Sequence, residues 1–200
     1  MKISNPNLII IGVVWLTAVV TGTGMILNYD NTSSVVPAVS FQWPSASKIK
    51  PVPGEATLIM AAHPRCPCTR ASVEELASIM ANVPKDKVKV YVLFVKPPGF
   101  SDDWARADLW RSAEAIPGVE VVLDPDGSEA KLFRTEVSGQ TVLYDANGQL
   151  LFSGGITGAR GHIGDNAGQS AIISLVRNGK SDRTGTPSFG CLLFNKEAER

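Results

Sequence analysis

The sequence predicts an α/β domain carried behind one apolar helix. Three observations lead there: residues 3 to 29 hold no charged side chain, short β-rich runs alternate with helical patterns from residue 56 onward, and an Asn147-Gly148 pair separates two late apolar runs.

The uncharged stretch is almost wholly apolar from Leu8 to Val20 and continues through Thr and Gly to Leu27. Crossing a hydrocarbon core takes about 20 residues, so it reads as a membrane span. Lys2 precedes it and Asp30 follows it, a bias that puts the N-terminus in the cytoplasm. The expected location is therefore the cytoplasmic membrane, crossed once, with the domain periplasmic or otherwise extracytoplasmic. A cleaved signal peptide is the alternative, but the stretch exceeds a usual h-region and no Ala-x-Ala site follows. Four segments are expected: an anchor at 1–29, a linker at 30–55, a domain at 56–178, and a tail at 179–200 that carries Cys191. The linker reading rests on Pro37, Pro44, Pro51 and Pro53 among serines. Phe41 and Trp43 interrupt it, and either could sit at headgroup level or cover the domain.

Within the domain, residues 58–62 read as a first strand. A first helix should hold Val73, Leu76, Ala77, Ile79 and Met80 on one stripe, with Ser72 and Glu75 as a capping box. Residues 88–95 read as a buried central strand. Lys96-Pro97-Pro98-Gly99 breaks the chain, and Ser101 caps a helix through Trp104, Leu109, Trp110 and Ala113 to Ile116. Residues 119–123 make a short strand, Asp124-Pro125-Asp126-Gly127 a turn, and 128–134 a brief helix. Residues 141–145 and 149–153 form a hairpin, and 165–177 the last helix. Lys plus Arg equals Asp plus Glu at 19 each, so no basic excess points to nucleic acid.

This order is similar to that of the thioredoxin-like superfamily, chiefly its membrane-tethered TlpA-type and SCO-type branches and the exported proteins called RedB-like. The residues that carry the resemblance are Ala62-His63-Pro64-Arg65-Cys66-Pro67-Cys68-Thr69-Arg70 between first strand and first helix, Leu123-Asp124-Pro125-Asp126-Gly127, and Val142-Leu143-Tyr144-Asp145-Ala146-Asn147-Gly148. It implies a central mixed sheet flanked by helices and a redox site at the cysteine pair. Two departures stand out: one residue, not two, separates the cysteines, and Gln140 takes the place of the family's proline before the hairpin.

The cysteines also have a chemistry of their own. Pro67 fixes φ and can turn the chain enough to bring Cys66 and Cys68 within bridging range, with strain. A helix N-terminus beside Arg65 and Arg70 favours a thiolate. A permanent bridge and buried, inert thiols are the structural alternatives. Cys191 has three readings: a resolving thiol, a third metal ligand, or a small buried hydrophobe. The leading functional expectation is thiol–disulfide exchange through Cys66 and Cys68, acting on exported protein thiols or disulfides and needing no cofactor. The alternative is a non-enzymatic copper(I) module serving a metalloprotein client, with Cys66, Cys68, His63, His162 and Cys191 as donors, as the SCO resemblance implies. Arg65, Pro67, Gln140 and Arg160 are the expected supporting residues. The glycine-rich run 154–166 could bind an anion at a helix start, but lacks a Gly-Lys-Ser/Thr ending; backbone turns with Asp165 or Asn166 as cap is the preferred reading.

Overall fold

The computed structural model describes residues 6–35 and 38–194. It divides into two compact units, one ending at Thr32 and one starting at Ser33. The first is a single helix, α1 (Pro6–Asn31), long and apolar enough to cross a membrane. None of its residues is buried, so its large apolar side chains present an unbroken apolar surface.

The second unit is built on five strands: β1 (Ala56–Ala62), β2 (Val88–Lys96), β3 (Val119–Pro125), β4 (Gln140–Tyr144) and β5 (Leu150–Gly155). Their order in the sheet is β3-β2-β1-β4-β5. β1 pairs parallel with β2 and antiparallel with β4, which places it at the centre. Crossovers are helical: α2 (Pro67–Asn82) links β1 to β2, and α3 (Asp102–Ala105) with α4 (Asp108–Glu114) links β2 to β3. α5 (Ser128–Leu132) precedes the hairpin and α6 (Ala167–Asn178) follows it.

Period-two alternation sorts the strand residues onto two faces. Leu58, Met60 and Ala62 meet Val73, Leu76 and Ile79 of α2, Leu109 and Trp110 of α4, and Ile172 and Leu175 of α6. Ile59 faces the other way, with Tyr91, Leu93, Phe133, Val142 and Tyr144. That second face is covered by Val39, Trp43 and Ile49, from the run whose composition reads as a linker. Trp43 stands edge-on to Phe133 and Tyr144, at 5.0 and 5.3 Å between ring centres. Its amide donates to Gly148 O, and Leu150 N donates to Phe41 O. Glu129, buried, accepts from Ser47 Oγ at 2.6 Å and from Lys48 N. Prolines and serines hide this role because such a segment covers the sheet through a few spaced side chains, with no helical or strand period.

Other boundaries differ locally. α2 starts at Pro67, capped by Cys66, so Ser72 and Glu75 are interior rather than a capping box. Proline suits a first helical position because its missing N–H would be unpaired there anyway. Glu75 is buried and accepts from Gly164 N at 2.6 Å, tying α2 to the glycine-rich loop. The helix expected from 101 to 116 is broken at Arg106 and Ala107, where Ala107 turns extended. Ser101 does cap its start, accepting from Trp104 N. Asp124 closes the next turn, accepting from the Glu129 and Ala130 amides, and Asn166 caps α6 by accepting from Gln169 N.

Candidate functional site

The cysteine loop leaves the centre of the sheet at Ala62 and enters α2 at Cys66. Cys66 has extended backbone angles, φ −88° and ψ 125°, as an N-cap residue should. Cys68 is the second residue of the helix, and both cysteines are buried. All three cysteines are free thiols. Cys191, from the distant tail, brings its Sγ to 2.8 Å from Cys66 Sγ.

A small ring of hydrogen bonds holds the loop. His63 N donates to Ser138 Oγ at 2.8 Å, and Thr69 Oγ1 donates to His63 O at 3.1 Å. Thr69 and Ser138 hydroxyls also touch at 2.5 Å. The single Thr69 proton is committed to His63 O, so Ser138 must be the donor in that contact. Ser138 thus joins the cysteine loop to the segment before β4, where Gly139 N donates to Ala61 O. Nothing in the residue types of Thr69 and Ser138 announces this; only the expectation that the pre-hairpin loop faces the cysteines points towards it.

Gln140, in the position where a proline was expected by resemblance, is fully buried. Its Oε1 accepts from the amides of Glu136 and Val137 at 2.9 and 3.3 Å and so closes the loop on itself. The outer edge of this loop pairs with the tail: Ser138 N donates to Cys191 O and Leu193 N donates to Glu136 O, each at 2.8 Å. Arg160 donates to Gly190 O at 2.7 Å.

Electrostatics separate the three thiols. Burial alone would raise the Cys66 pKa, but hydrogen bonding from the Cys191 thiol and from the Cys191, Thr69 and Cys68 amides outweighs it, and the net shift is downward. The neutral Cys66 thiol makes no formed cap bond to the helix; these amides act on the thiolate. Cys68 moves upward through burial and the charge and hydrogen bonding of Cys66, partly offset by Arg160. Cys191 is pushed up to about 12 by burial of its thiol and by the hydrogen bond to, and charge of, Cys66. Of the three thiols, Cys66 therefore ionises most readily.

Arg65 lies over the Trp104 ring at 5.4 Å, and Pro67 is exposed at the helix start. A groove of about 360 Å³ opens beside Cys66 between Arg65, Arg70, Asp108 and Leu109. The two histidines do not converge on the thiols. His63 stacks edge-on to Trp104 at 5.7 Å and its Nδ1 accepts from Arg65 N. Its pKa is lowered by burial and by the Arg65 charge. His162 is exposed in the glycine-rich loop. Among the described residues no group of three His, Cys, Asp or Glu is arranged to hold a metal ion. The Arg160 guanidinium, which acts on both Cys68 and Cys191, would also oppose a second cation. The residues present do not fit the histidine-containing copper(I) site. Nor does the glycine-rich run form an anion cradle, since the Gly164 amide already donates to the Glu75 carboxylate.

No family model matches the sequence, and neither does any curated protein. Solved structures do resemble it. A hypothetical protein, SMc02350, from Sinorhizobium meliloti 1021 aligns with a TM-score of 0.59 at 20% identity, over 78% of this chain and 95% of its own. An uncharacterized conserved protein from Geobacillus kaustophilus aligns with 0.58 at 16% identity, over 82% and 95%. The fold is thioredoxin-like. The deciding features are the antiparallel β4 beside a central β1, and the cysteine loop running from β1 into α2. A secreted disulfide oxidoreductase of Mycobacterium tuberculosis, described as homologous to Escherichia coli DsbE, aligns more loosely, with a TM-score of 0.44 at 15% identity over 62% and 81%.

Proposed function

We propose that this thioredoxin-like domain performs thiol–disulfide exchange on exported proteins, with Cys66 of the Cys66-Pro67-Cys68 loop as the attacking thiolate and α1 as its anchor in the cytoplasmic membrane. One observation carries the reading: Cys66 caps α2 with a lowered pKa while a second thiol lies 2.8 Å away. Attack requires a thiolate, and the downward shift of the Cys66 pKa enlarges the fraction of that thiol present as thiolate. The groove beside Cys66 gives a client chain a place to lie next to the cysteine loop. The charge pattern around α1, Lys2 before and Asp30 after it, supports an extracytoplasmic domain, where disulfide clients occur.

The test is exchange with a model protein disulfide by the detergent-solubilised chain. Wild type should form a mixed disulfide at Cys66, and Cys66→Ser should form none. Equal exchange by Cys66→Ser would overturn the assignment. A reporter fused after Arg200 should be active only outside the cytoplasm.

A further inference from the structure

We infer that Cys191, rather than Cys68, is the intramolecular redox partner of Cys66: residues 190–193 form a docked segment that carries its own thiol onto the nucleophile. This deepens the exchange reading above and rests on it.

Residues 190–193 are seated by one isolated bridge and the contacts around it. Val137 and Leu192 form an antiparallel bridge, flanked by the Ser138 N to Cys191 O and Leu193 N to Glu136 O hydrogen bonds. Leu193 is buried with Ala61, Val95 and Ala130. Just before Cys191, the Gly190 carbonyl accepts from both Arg160 and Ser34 Oγ at 2.7 Å. Gly190 has no room for a side chain, since a Cβ there would lie 1.9 Å from Ser138 O. Close backbone approach therefore demands glycine at this position, and the approach delivers Cys191 to the reactive sulfur.

Cys68 also hydrogen-bonds Cys66, but it is fixed as the second residue of α2, whereas Cys191 approaches on a separate segment with its Sγ 2.8 Å from Cys66 Sγ. Cys66 itself is only 2% exposed, so attack on a client requires the tail to lift and its return brings Cys191 back.

The steps balance as follows. The Cys66 thiolate attacks one sulfur of a client disulfide, forming a Cys66–client disulfide and releasing the other client sulfur as thiolate. Cys191 then loses its proton to solvent and attacks Cys66 Sγ, forming the Cys66–Cys191 disulfide and releasing the second client thiolate. The client gains two electrons and the Cys66–Cys191 pair loses two; a dithiol donor restores the pair by the reverse exchange. Once Cys66 is in a mixed disulfide, its negative charge no longer opposes ionisation of Cys191.

The full chain in detergent is treated with half an equivalent of an aromatic disulfide, 5,5′-dithiobis(2-nitrobenzoate), and aromatic thiolate release is followed with mass mapping. In wild type and Cys68→Ser each reagent molecule should release two thiolates, leaving the tryptic peptide 66–70 joined to the peptide holding Cys191. Cys191→Ser should release one and retain the adduct on Cys66, with the second release slowed at least tenfold. Gly190→Ala keeps the thiol but excludes the docked segment, and should slow the second release similarly. Arrest in Cys68→Ser with normal release in Cys191→Ser would overturn the inference and leave the exchange reading intact, as would wild-type resolution in Gly190→Ala. Absence of any adduct at Cys66 in wild type would sink the exchange reading itself.

Discussion

The Arg160 guanidinium donates to the Gly190 carbonyl, one residue before Cys191. It also donates to Ser34 Oγ at 3.2 Å and offsets the upward shifts of both Cys68 and Cys191. One side chain from the glycine-rich loop thus positions the tail and favours thiolates around Cys66. Arg160→Met should keep much of the packing while removing the charge. The expected outcome is slower bridge formation between Cys66 and Cys191, by roughly tenfold for a lost charged hydrogen bond of about 1.5 kcal/mol. Stopped-flow release of aromatic thiolate measures it, and an unchanged rate would remove Arg160 from the site.

Cys66 should alkylate with a pH midpoint below that of an ordinary cysteine. The sign follows from its lowered pKa: the thiolate persists to lower pH, so the rate with iodoacetamide falls only as pH drops through that lowered value. Cys191→Ala removes the hydrogen-bond donor nearest the sulfur and should move the midpoint up. Measuring both profiles in a Cys68→Ser background, with alkylation at Cys66 followed by mass mapping, separates it from Cys191, and a midpoint that stays put in Cys191→Ala contradicts the assigned contact.

Alkali should weaken the fold through Tyr144 as well. Burial pushes its pKa up to about 12, from an ordinary 10.0, and its hydroxyl donates to Ser40 O at 2.9 Å. The unfolded chain ionises this group first, so its contribution is whole below about pH 10 and is lost as pH rises towards 12. Tyr144→Phe should cost about 1 kcal/mol at neutral pH through the lost hydrogen bond, and should flatten the alkaline decline. Thermal melts from pH 7 to 11 report both effects.

The run 38–50 should behave as part of the domain. Trp43→Ala removes a half-buried ring wedged against Phe133 and Tyr144 and is expected to destabilise the domain by about 2 kcal/mol. Urea unfolding of a soluble fragment starting at Ser33, with and without the substitution, supplies the number. A shift within error would mean that the sheet face does not depend on this cover.

The sheet was legible because its strands are apolar runs and its turns carry their own chemistry, as at Asn147-Gly148 and Asp124 to Gly127. The cysteine loop was legible for the same reason: Cys66, Pro67 and Cys68 stand between a strand and a helix whose signals are both local. Distant contacts were harder to read. The contact of Cys66 with Cys191 spans 125 residues; a resolving thiol was one of three readings of Cys191, and no local period selects it. The cover of Trp43 and Ile49 depends on a sheet face that exists only after folding. The Ser138–Thr69 hydroxyl pair joins two ordinary polar residues whose meeting depends on strand order. Histidine placement is not legible locally, because a shared loop end does not fix where an imidazole points; His63 stands edge-on to Trp104.

The distance along the chain between Cys66 and Cys191 links oxidation to folding. A bridge closing a loop of this size would reduce the entropy of the unfolded chain by an amount worth roughly 5 kcal/mol, whereas one between Cys66 and Cys68 would close almost nothing. Since the cycle joining folded, unfolded, oxidised and reduced forms must close, the same free energy sets the folded pair's potential about 100 mV below that of the denatured chain. Loss of tertiary structure would then make the bridge easier to reduce, so its redox state reports whether the domain is intact.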